Sequence, residues 1–241
     1  MSGRNEHADS GWKSVWEARR LAPSGGSMLS RLLVADGYDS GFAKFDEMSW
    51  IDFVGRRATD LGVESGMSVF EVGCGAGAFL YELRRAGCVV SGIDYSESLV
   101  DIARSVMPDS DFEVREAAQL EDRPPADVVL ACSVFAYFPS LEYASRVIER
   151  MVAKADRAVA ILDVPDRALE QAARAYRRGV SGGDENYAAR YEGLEHCYYD
   201  RDWLTEALRG LRLTGVHVAD QDLTHDGNAP FRFNAWGFKG P

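Results

Sequence analysis

One carboxylate and three alternating glycines stand close together within the first third of the chain. Residues 69–79 read VFEVGCGAGAF, so Glu71 precedes Gly73, Gly75 and Gly77. The apolar start of this segment is typical of a buried parallel strand, and its end is typical of a helix. A glycine-rich turn between the two exposes backbone N–H groups to a ligand. Because a buried acid repels a pyrophosphate and attracts an ammonium or a sulfonium, Glu71 favours a cationic ligand.

A second acid, Asp94, ends the next predicted strand, residues 89–94. It follows Gly73 by about 21 residues, the separation at which an acid binds the ribose of a dinucleotide. Asp94 therefore indicates a ribose without saying which cofactor carries it. A nicotinamide-dependent oxidoreductase stays open as an alternative, although Glu71 disfavours it.

Alternating strands and helices must position these residues. The segments that favour strands are residues 69–72, 89–94, 111–116, 126–133, 157–164, 214–220 and 231–239. Helical patterns follow the first, second, fourth and fifth of these segments, which predicts a doubly wound α/β sheet with right-handed crossovers. The last two strands have no helix between them, so they predict an antiparallel hairpin at one edge.

The ends of the chain depart from this alternation. Residues 1–62 predict an N-terminal helical cap, in which helices cover residues 12–21, 28–35 and 46–61 and the first ten residues are disordered. Residues 63–241 predict one globular unit. Within that unit, residues 165–199 form a lid insertion after the fifth strand, because aromatic residues gather there around a flexible, glycine-rich break at residues 179–186.

Four motifs in order resemble those of class I S-adenosylmethionine-dependent methyltransferases. They are residues 71–77 (EVGCGAG), 92–96 (GIDYS), 116–118 (EAA) and the strand 127–133. The resemblance covers about residues 67–163. It implies a Rossmann-like, seven-stranded sheet with one antiparallel strand near the edge, S-adenosylmethionine as cofactor and S-adenosylhomocysteine as product.

The resemblance also implies roles for the motif residues. Glu71 faces the ammonium of the cofactor, Gly73, Gly75 and Gly77 let the backbone approach its methionine portion, and Asp94 accepts its ribose hydroxyls. The remaining expected cofactor contacts are Tyr95 on the adenine face, Glu116 and Ala117 after strand three, and Ser133 after strand four.

Candidates for the catalytic and acceptor-binding residues come later in the chain. A positioned base is needed only when the acceptor must lose a proton, and the expected catalytic residues are His196, Tyr199 and Asp163. Asp163 ends strand five, at the edge of the sheet where ligands of open α/β folds lie. The expected substrate-binding residues are Phe135, Tyr137 and Tyr198. No clustered metal-ligand spacing is present, so no metal site is expected.

Composition limits the kinds of partner. The net charge is −11, from 27 basic and 38 acidic side chains, which disfavours nucleic acid. The turn after strand four also lacks the Asn-Pro-Pro-Tyr motif that enzymes methylating exocyclic base nitrogens share.

The sequence gives no sign of membrane insertion or secretion. It contains no apolar run of about 18 residues, so no membrane span is predicted, and the N-terminus lacks a signal-peptide core. Four cysteines without a Cys-x-x-Cys pair predict free thiols in the cytoplasm.

The sequence thus predicts an enzyme that transfers a methyl group from S-adenosylmethionine to an oxygen or nitrogen of a small metabolite, such as one of secondary metabolism. The alternatives are the nicotinamide-dependent oxidoreductase, a methyltransferase acting on RNA or protein, and a binding module without catalysis. The sequence does not predict the oligomeric state.

Overall fold

A seven-stranded sheet is the frame of residues 11–38 and 46–240, the part of the chain that the computed structural model describes. The strands are β1 (Ser68–Val72), β2 (Val89–Asp94), β3 (Asp111–Val114), β4 (Ala126–Cys132), β5 (Ala155–Pro165), β6 (Leu213–Asp220) and β7 (Arg232–Lys239). Their order is β3-β2-β1-β4-β5-β7-β6, and β7 is antiparallel to both of its neighbours. The predicted mostly parallel sheet with an antiparallel edge hairpin is confirmed.

Helices cover both faces of this sheet. Three precede it: α1 (Gly11–Glu17), α2 (Met28–Ala35) and α3 (Glu47–Asp60). The others are α4 (Ala78–Arg85), α5 (Glu97–Val106), α6 (Leu141–Lys154), α7 (Glu170–Val180), α8 (Asp184–Tyr191) and α9 (Arg201–Gly210). The apolar core on one face contains α2, α3, α4 and α5, whereas that on the other contains α6 and α9. The N-terminal helices therefore share a core with the sheet.

Some element boundaries differ from the predicted ones. The glycine-rich break is shorter than expected, because α7 continues to Val180 and α8 begins at Asp184. Asp184 and Glu185 lie in the first turn of α8, where negative charge is favourable to the helix dipole. The predicted disorder of residues 1–10, and residues 39–41 of a loop expected after α2, lie outside the described residues.

Helix α1 is joined to two separate parts of the chain. The carboxylate of Glu17 accepts hydrogen bonds from the N–H groups of Glu97 (3.1 Å) and Ser98 (3.3 Å), at the start of α5. At the other end of α1, Trp12 Nε1 donates to the carbonyl of Glu195 at 2.9 Å, beyond α8. This short helix thus bridges the β2–α5 connection and the segment that follows α8.

The sheet order fixes where a ligand can lie. β1 pairs with β2 on one side and with β4 on the other, so the chain reverses direction across the sheet beside β1. Ligands of open α/β sheets bind at such a switch point, beyond the carboxyl ends of the strands. None of the helices in the described ranges is long and apolar enough to cross a bilayer.

Candidate active site

A cleft opens at the carboxyl ends of β1, β2 and β4. Its empty space is about 580 Å³, which includes volume that is open to solvent. The predicted site residues that line it are Glu71, Gly73, Gly75, Asp94, Tyr95, Ser133 and Tyr137. The N-terminal segment adds Trp16, Asp36 and Tyr38 to the lining. The structure therefore brings together most of the expected cofactor contacts and one expected acceptor contact.

The glycine loop between β1 and α4 allows two close approaches. Gly73 and Gly75 have φ values of 71° and 55°, which side-chain-bearing residues rarely adopt. A Cβ atom on Gly73 would clash with Val134, and one on Gly75 would clash with the carboxylate of Asp36. Gly77 lies outside the cleft lining, and a Cβ there would approach Met107 to 2.6 Å. Gly77 thus lets α4 pack closely.

Asp94 is held at the end of β2 by two backbone N–H groups. Its Oδ2 accepts from Gly75 N at 3.0 Å, and its Oδ1 accepts from Ser96 N at 2.8 Å. Burial raises the pKa of Asp94 to about 6 in spite of these two bonds. The carboxylate is therefore fixed in position at the edge of the cleft.

Glu71 is the most unusual group in the cleft. Its side chain is 3% exposed, and its Oε2 has no hydrogen-bond partner among the described residues. Burial, and then the charges of Asp36 and Asp94, raise its pKa well above the ordinary value. A buried acceptor without a donor costs roughly 1–3 kcal/mol, so an ammonium donor from a ligand would relieve it.

The lining as a whole fits S-adenosylmethionine. Among the described residues that line the cleft there is no lysine, arginine or histidine, whereas Asp36, Glu71 and Asp94 are acidic. Such a surface suits the ammonium and sulfonium of S-adenosylmethionine, and it offers no charged partner to a pyrophosphate. When bound there, the cofactor would be held by Glu71, Asp94 and the backbone of the glycine loop.

The expected adenine contacts divide into two groups. Tyr95 lines the cleft, and burial followed by the charge of Asp94 raises its pKa. Glu116 and Ala117 lie outside the lining; Glu116 Oε2 accepts a hydrogen bond from the hydroxyl of Tyr143 at 3.1 Å. Contacts of Glu116 and Ala117 with the cofactor therefore stay predictions.

A chain of hydrogen bonds leads from the cleft into the interior. Ser133 Oγ donates to Asp163 Oδ2 at 2.6 Å and lies 2.9 Å from the Tyr38 hydroxyl. Because a serine hydroxyl has one proton, Tyr38 is the donor in the second bond. Ser133 and Asp163 both have left-handed backbones, with φ of 60° and 59°. Strained residues of this kind concentrate at functional sites.

The buried end of this chain is a charged pair. Asp163 is 4% exposed and forms an ion pair with Arg232. Gln221 Nε2 also donates to Asp163 Oδ1 at 2.8 Å, and Asn234 Oδ1 accepts from the Asp163 N–H at 2.9 Å. Asp163 is outside the cleft lining and is linked to it through Ser133.

His196 lies beside the cleft without lining it. The ring of Tyr137, which does line the cleft, packs on the His196 ring with centroids 5.7 Å apart. Arg177 Nη1 is 3.1 Å from His196 Nδ1, and arginine can only donate, so Nδ1 is the acceptor. Burial and then the charge of Arg177 hold the pKa of His196 well below its usual range. The imidazole is therefore neutral, with its lone pair engaged.

Three other predicted residues lie away from the cleft. Tyr199 is fully buried, and its hydroxyl donates to the carbonyl of Phe135 at 2.9 Å. Phe135 is itself 1% exposed and packs in the core. Tyr198 lines a separate small pocket with His196. Their expected catalytic and substrate-binding roles stay predictions that this arrangement does not support.

Asp36 and Tyr38 are among the lining residues that were not expected from the sequence. Asp36 and Tyr38 follow α2 in a segment whose composition indicates only a loop. No local pattern marks them, because each reaches the cleft through contacts with residues far along the chain.

Comparisons with known proteins agree with this geometry. A family model described as a methyltransferase domain matches residues 42–218. A nonribosomal peptide synthetase from Emericella nidulans is 26% identical over 196 residues, which are 73% of this chain and 8% of that protein. A ubiquinone biosynthesis O-methyltransferase from Coxiella burnetii is 45% identical over 40 residues, 17% of each protein. The chain thus matches only a small part of the length of these relatives.

Solved structures show the same fold at low identity. Magnesium protoporphyrin IX methyltransferase from Synechocystis PCC 6803, with bound S-adenosylmethionine, is 17% identical with a TM-score of 0.58, covering 94% of this chain and 91% of that one. An S-adenosylmethionine-dependent methyltransferase from Clostridium acetobutylicum is 11% identical with a TM-score of 0.61, covering 86% and 98%. These findings decide against the oxidoreductase alternative. The chain belongs to the methyltransferase-domain family.

Proposed function

We propose that this chain is an S-adenosylmethionine-dependent methyltransferase and that its acceptor is a small molecule methylated on oxygen or nitrogen at the Ser133 end of the cleft. Tyr38, Ser133 and Tyr137 give this end both hydroxyl groups and an aromatic wall. One curated relative is named as an O-methyltransferase of ubiquinone biosynthesis, and one structural neighbour as a methyltransferase of magnesium protoporphyrin IX. The net charge of −11 disfavours a nucleic acid in this role.

The observation that carries this proposal is the hydrogen-bonded chain from Tyr38 through Ser133 to Asp163. An oxygen or nitrogen acceptor carries a proton that must leave when the methyl group is added. Tyr38 and Ser133 can accept a hydrogen bond from that acceptor, and Asp163 is the carboxylate at the far end of the chain. The three residues therefore offer a path for the proton away from the cleft.

Methyl transfer requires mainly that the acceptor atom be aligned with the methyl group of the cofactor. When bound, S-adenosylmethionine would supply an activated methyl group on a positively charged sulfur, which would leave with the electron pair of its bond to that group. Ser133 and Tyr38 orient the acceptor, and Asp163 receives its proton through Ser133. Trp16 and Tyr137 restrict water at the reacting atoms. Positioned proton transfer contributes roughly 100- to 10,000-fold in rate.

Transfer of a labelled methyl group to a panel of simple phenols and aromatic amines tests this proposal. We expect small-molecule products, and we expect Ser133→Ala to lower the rate of transfer at saturating cofactor about 100-fold. Ser140→Ala is the matched control, because Ser140 caps α6 through Tyr143 N and is outside the cleft lining. Label recovered only in RNA or protein would refute the proposal.

We also propose that the enzyme acts in the cytoplasm. All four cysteines are free thiols, and three of them are buried. Unpaired cysteines are typical of proteins in reducing compartments.

A further inference from the structure

Asp36 is an acid in the cleft that no motif of the sequence marks. It follows α2, and its two carboxylate oxygens accept hydrogen bonds from the N–H groups of Ala76 and Ala78 (3.0 Å for Ala78), at the start of α4. The missing side chain of Gly75 makes room for this approach. The N-terminal segment thus places a carboxylate directly on the cofactor loop.

The same cleft holds a second acid, Glu71, and unlike Asp36 it has a carboxylate oxygen that receives no hydrogen bond from the described part of the chain. Glu71 Oε2 is buried and without a hydrogen-bond partner among the described residues, and Glu71 and Asp36 both line the cleft. Burial raises the pKa of Asp36 to about 7 despite its two backbone bonds, and the charge of Asp94 adds to the rise. The cleft thus brings acidic groups close together, and one acceptor oxygen of Glu71 has no donor among the described residues.

An organic ammonium fits these acceptors by its chemistry. An alkylammonium has three donors and needs only two or three acceptors around it. Asp36 and Glu71 provide acceptors from two different elements.

We propose that Asp36 and Glu71 together bind the ammonium of the cofactor's methionine portion, so that the N-terminal segment supplies a residue that recognises the cofactor. This inference rests on the cofactor use and the cleft assignment given above. It extends the role expected for Glu71 to a residue outside the region of family resemblance.

A rival arrangement makes the opposite prediction. The N–H groups of Ala76 and Ala78 form a helix N-terminus, which is also a good site for the carboxylate of the methionine portion. If that carboxylate displaced Asp36 on binding, removing the charge of Asp36 would strengthen binding. If Asp36 instead holds the ammonium, removing its charge weakens binding.

Calorimetry with two ligands separates these outcomes. S-adenosylhomocysteine carries the ammonium, whereas 5′-methylthioadenosine has the same adenosine and lacks the amino-acid portion. At about pH 7.5, where Asp36 is mostly ionised, we expect Asp36→Asn to weaken S-adenosylhomocysteine binding roughly 10- to 100-fold. Binding of 5′-methylthioadenosine should change by less than about threefold.

A matched control removes the charge of a similar helix cap elsewhere. Asp46 Oδ1 accepts from Ser49 N at 2.9 Å at the start of α3, outside the cleft lining. Asp46→Asn should therefore leave both affinities unchanged. Unchanged or tighter binding of S-adenosylhomocysteine by Asp36→Asn would overturn the inference, whereas wild-type protein that binds neither ligand would refute the cofactor site itself.

A pH series on the wild-type protein tests the inference without a substitution. The charged and titratable groups near Asp36 are Asp94, Arg19, Glu71, Tyr38 and Cys74. Burial raises the pKa values of Tyr38 and Cys74, so both stay neutral at neutral pH. From about pH 7.5 down to about pH 6, S-adenosylhomocysteine should lose more affinity than 5′-methylthioadenosine, because a protonated Asp36 cannot balance the ammonium. Parallel losses would contradict the inference.

Discussion

The substitution Glu71→Gln should weaken cofactor binding and stabilise the empty protein at the same time. Glutamine keeps the shape of the side chain and removes its charge. Glu71 Oε2 has no hydrogen-bond partner in the described structure, so the substitution breaks no bond at that atom. Because the pKa of Glu71 is raised in the folded protein, folding loses stability as pH rises through that pKa. The glutamine variant avoids this loss, so its melting temperature should be higher in alkaline buffer.

The loss of affinity for S-adenosylhomocysteine follows from the attraction between its ammonium and the Glu71 carboxylate. An ammonium about 4 Å from a carboxylate gains roughly 4 kcal/mol at an effective dielectric constant of about 20. Desolvation of both groups opposes this attraction, and measured hydrogen bonds to charged groups contribute about 1.5–3 kcal/mol net. At about 1.4 kcal/mol per factor of ten, Glu71→Gln should weaken S-adenosylhomocysteine binding roughly 10- to 150-fold.

Calorimetry and thermal unfolding in the same buffer give both quantities. Glu82→Gln is a suitable control, because Glu82 is also buried but forms an ion pair with Arg85 at 3.0 Å on α4. That variant should lower the melting temperature and leave ligand affinity unchanged. Glu71 does not hold the ammonium if Glu71→Gln binds S-adenosylhomocysteine as tightly as wild type does. Its buried charge does not destabilise the fold if the variant unfolds at a lower temperature than wild type at alkaline pH.

Two further predictions concern stability. Burial raises the folded pKa of Asp36 to about 7 and that of Asp94 to about 6, from 3.8, so the empty protein should lose stability as pH rises from about 4 to about 7. At about 1.36 kcal/mol per pKa unit, the free energy of unfolding falls by at most about 4 kcal/mol from Asp36 and about 3 kcal/mol from Asp94. Urea titrations at acid and neutral pH measure the sum of the two losses. A free energy of unfolding that does not change with pH would contradict this prediction. Arg232→Leu leaves the carboxylate of Asp163 buried and unpaired, which should lower the free energy of unfolding by about 3–5 kcal/mol. If the urea midpoint of Arg232→Leu equals that of wild type, the ion pair with Arg232 does not stabilise the fold.

The sheet and the cofactor loop are predictable because their signals are local. The apolar strand before Gly73 and the acid at Asp94 can each be recognised from a few neighbouring residues. The N-terminal wall of the cleft is not, because Asp36 meets the backbone of Ala76 across 40 positions of the chain. Such a contact depends on how α2 packs against α4, which no nearby pattern encodes.

Aromatic residues show a second limit of sequence reasoning. Tyr137 and Phe135 are two positions apart and of the same type, yet Tyr137 lines the cleft and Phe135 lies in the core. They belong to one short 3-10 turn, Phe135–Tyr137, whose side chains point in different directions. Residue type indicates burial in both cases, and only the backbone turn decides which of the two faces a ligand.

The contacts of α1 on both sides affect how ligands enter and leave the cleft. Trp16 of this helix forms part of the cleft wall, while Glu17 is bonded to the start of α5 and Trp12 to the carbonyl of Glu195. The cofactor side and the side near His196 are thus fastened by the same seven-residue helix. Displacing this helix would therefore break its contacts on both sides at once and uncover the part of the cleft that Trp16 walls.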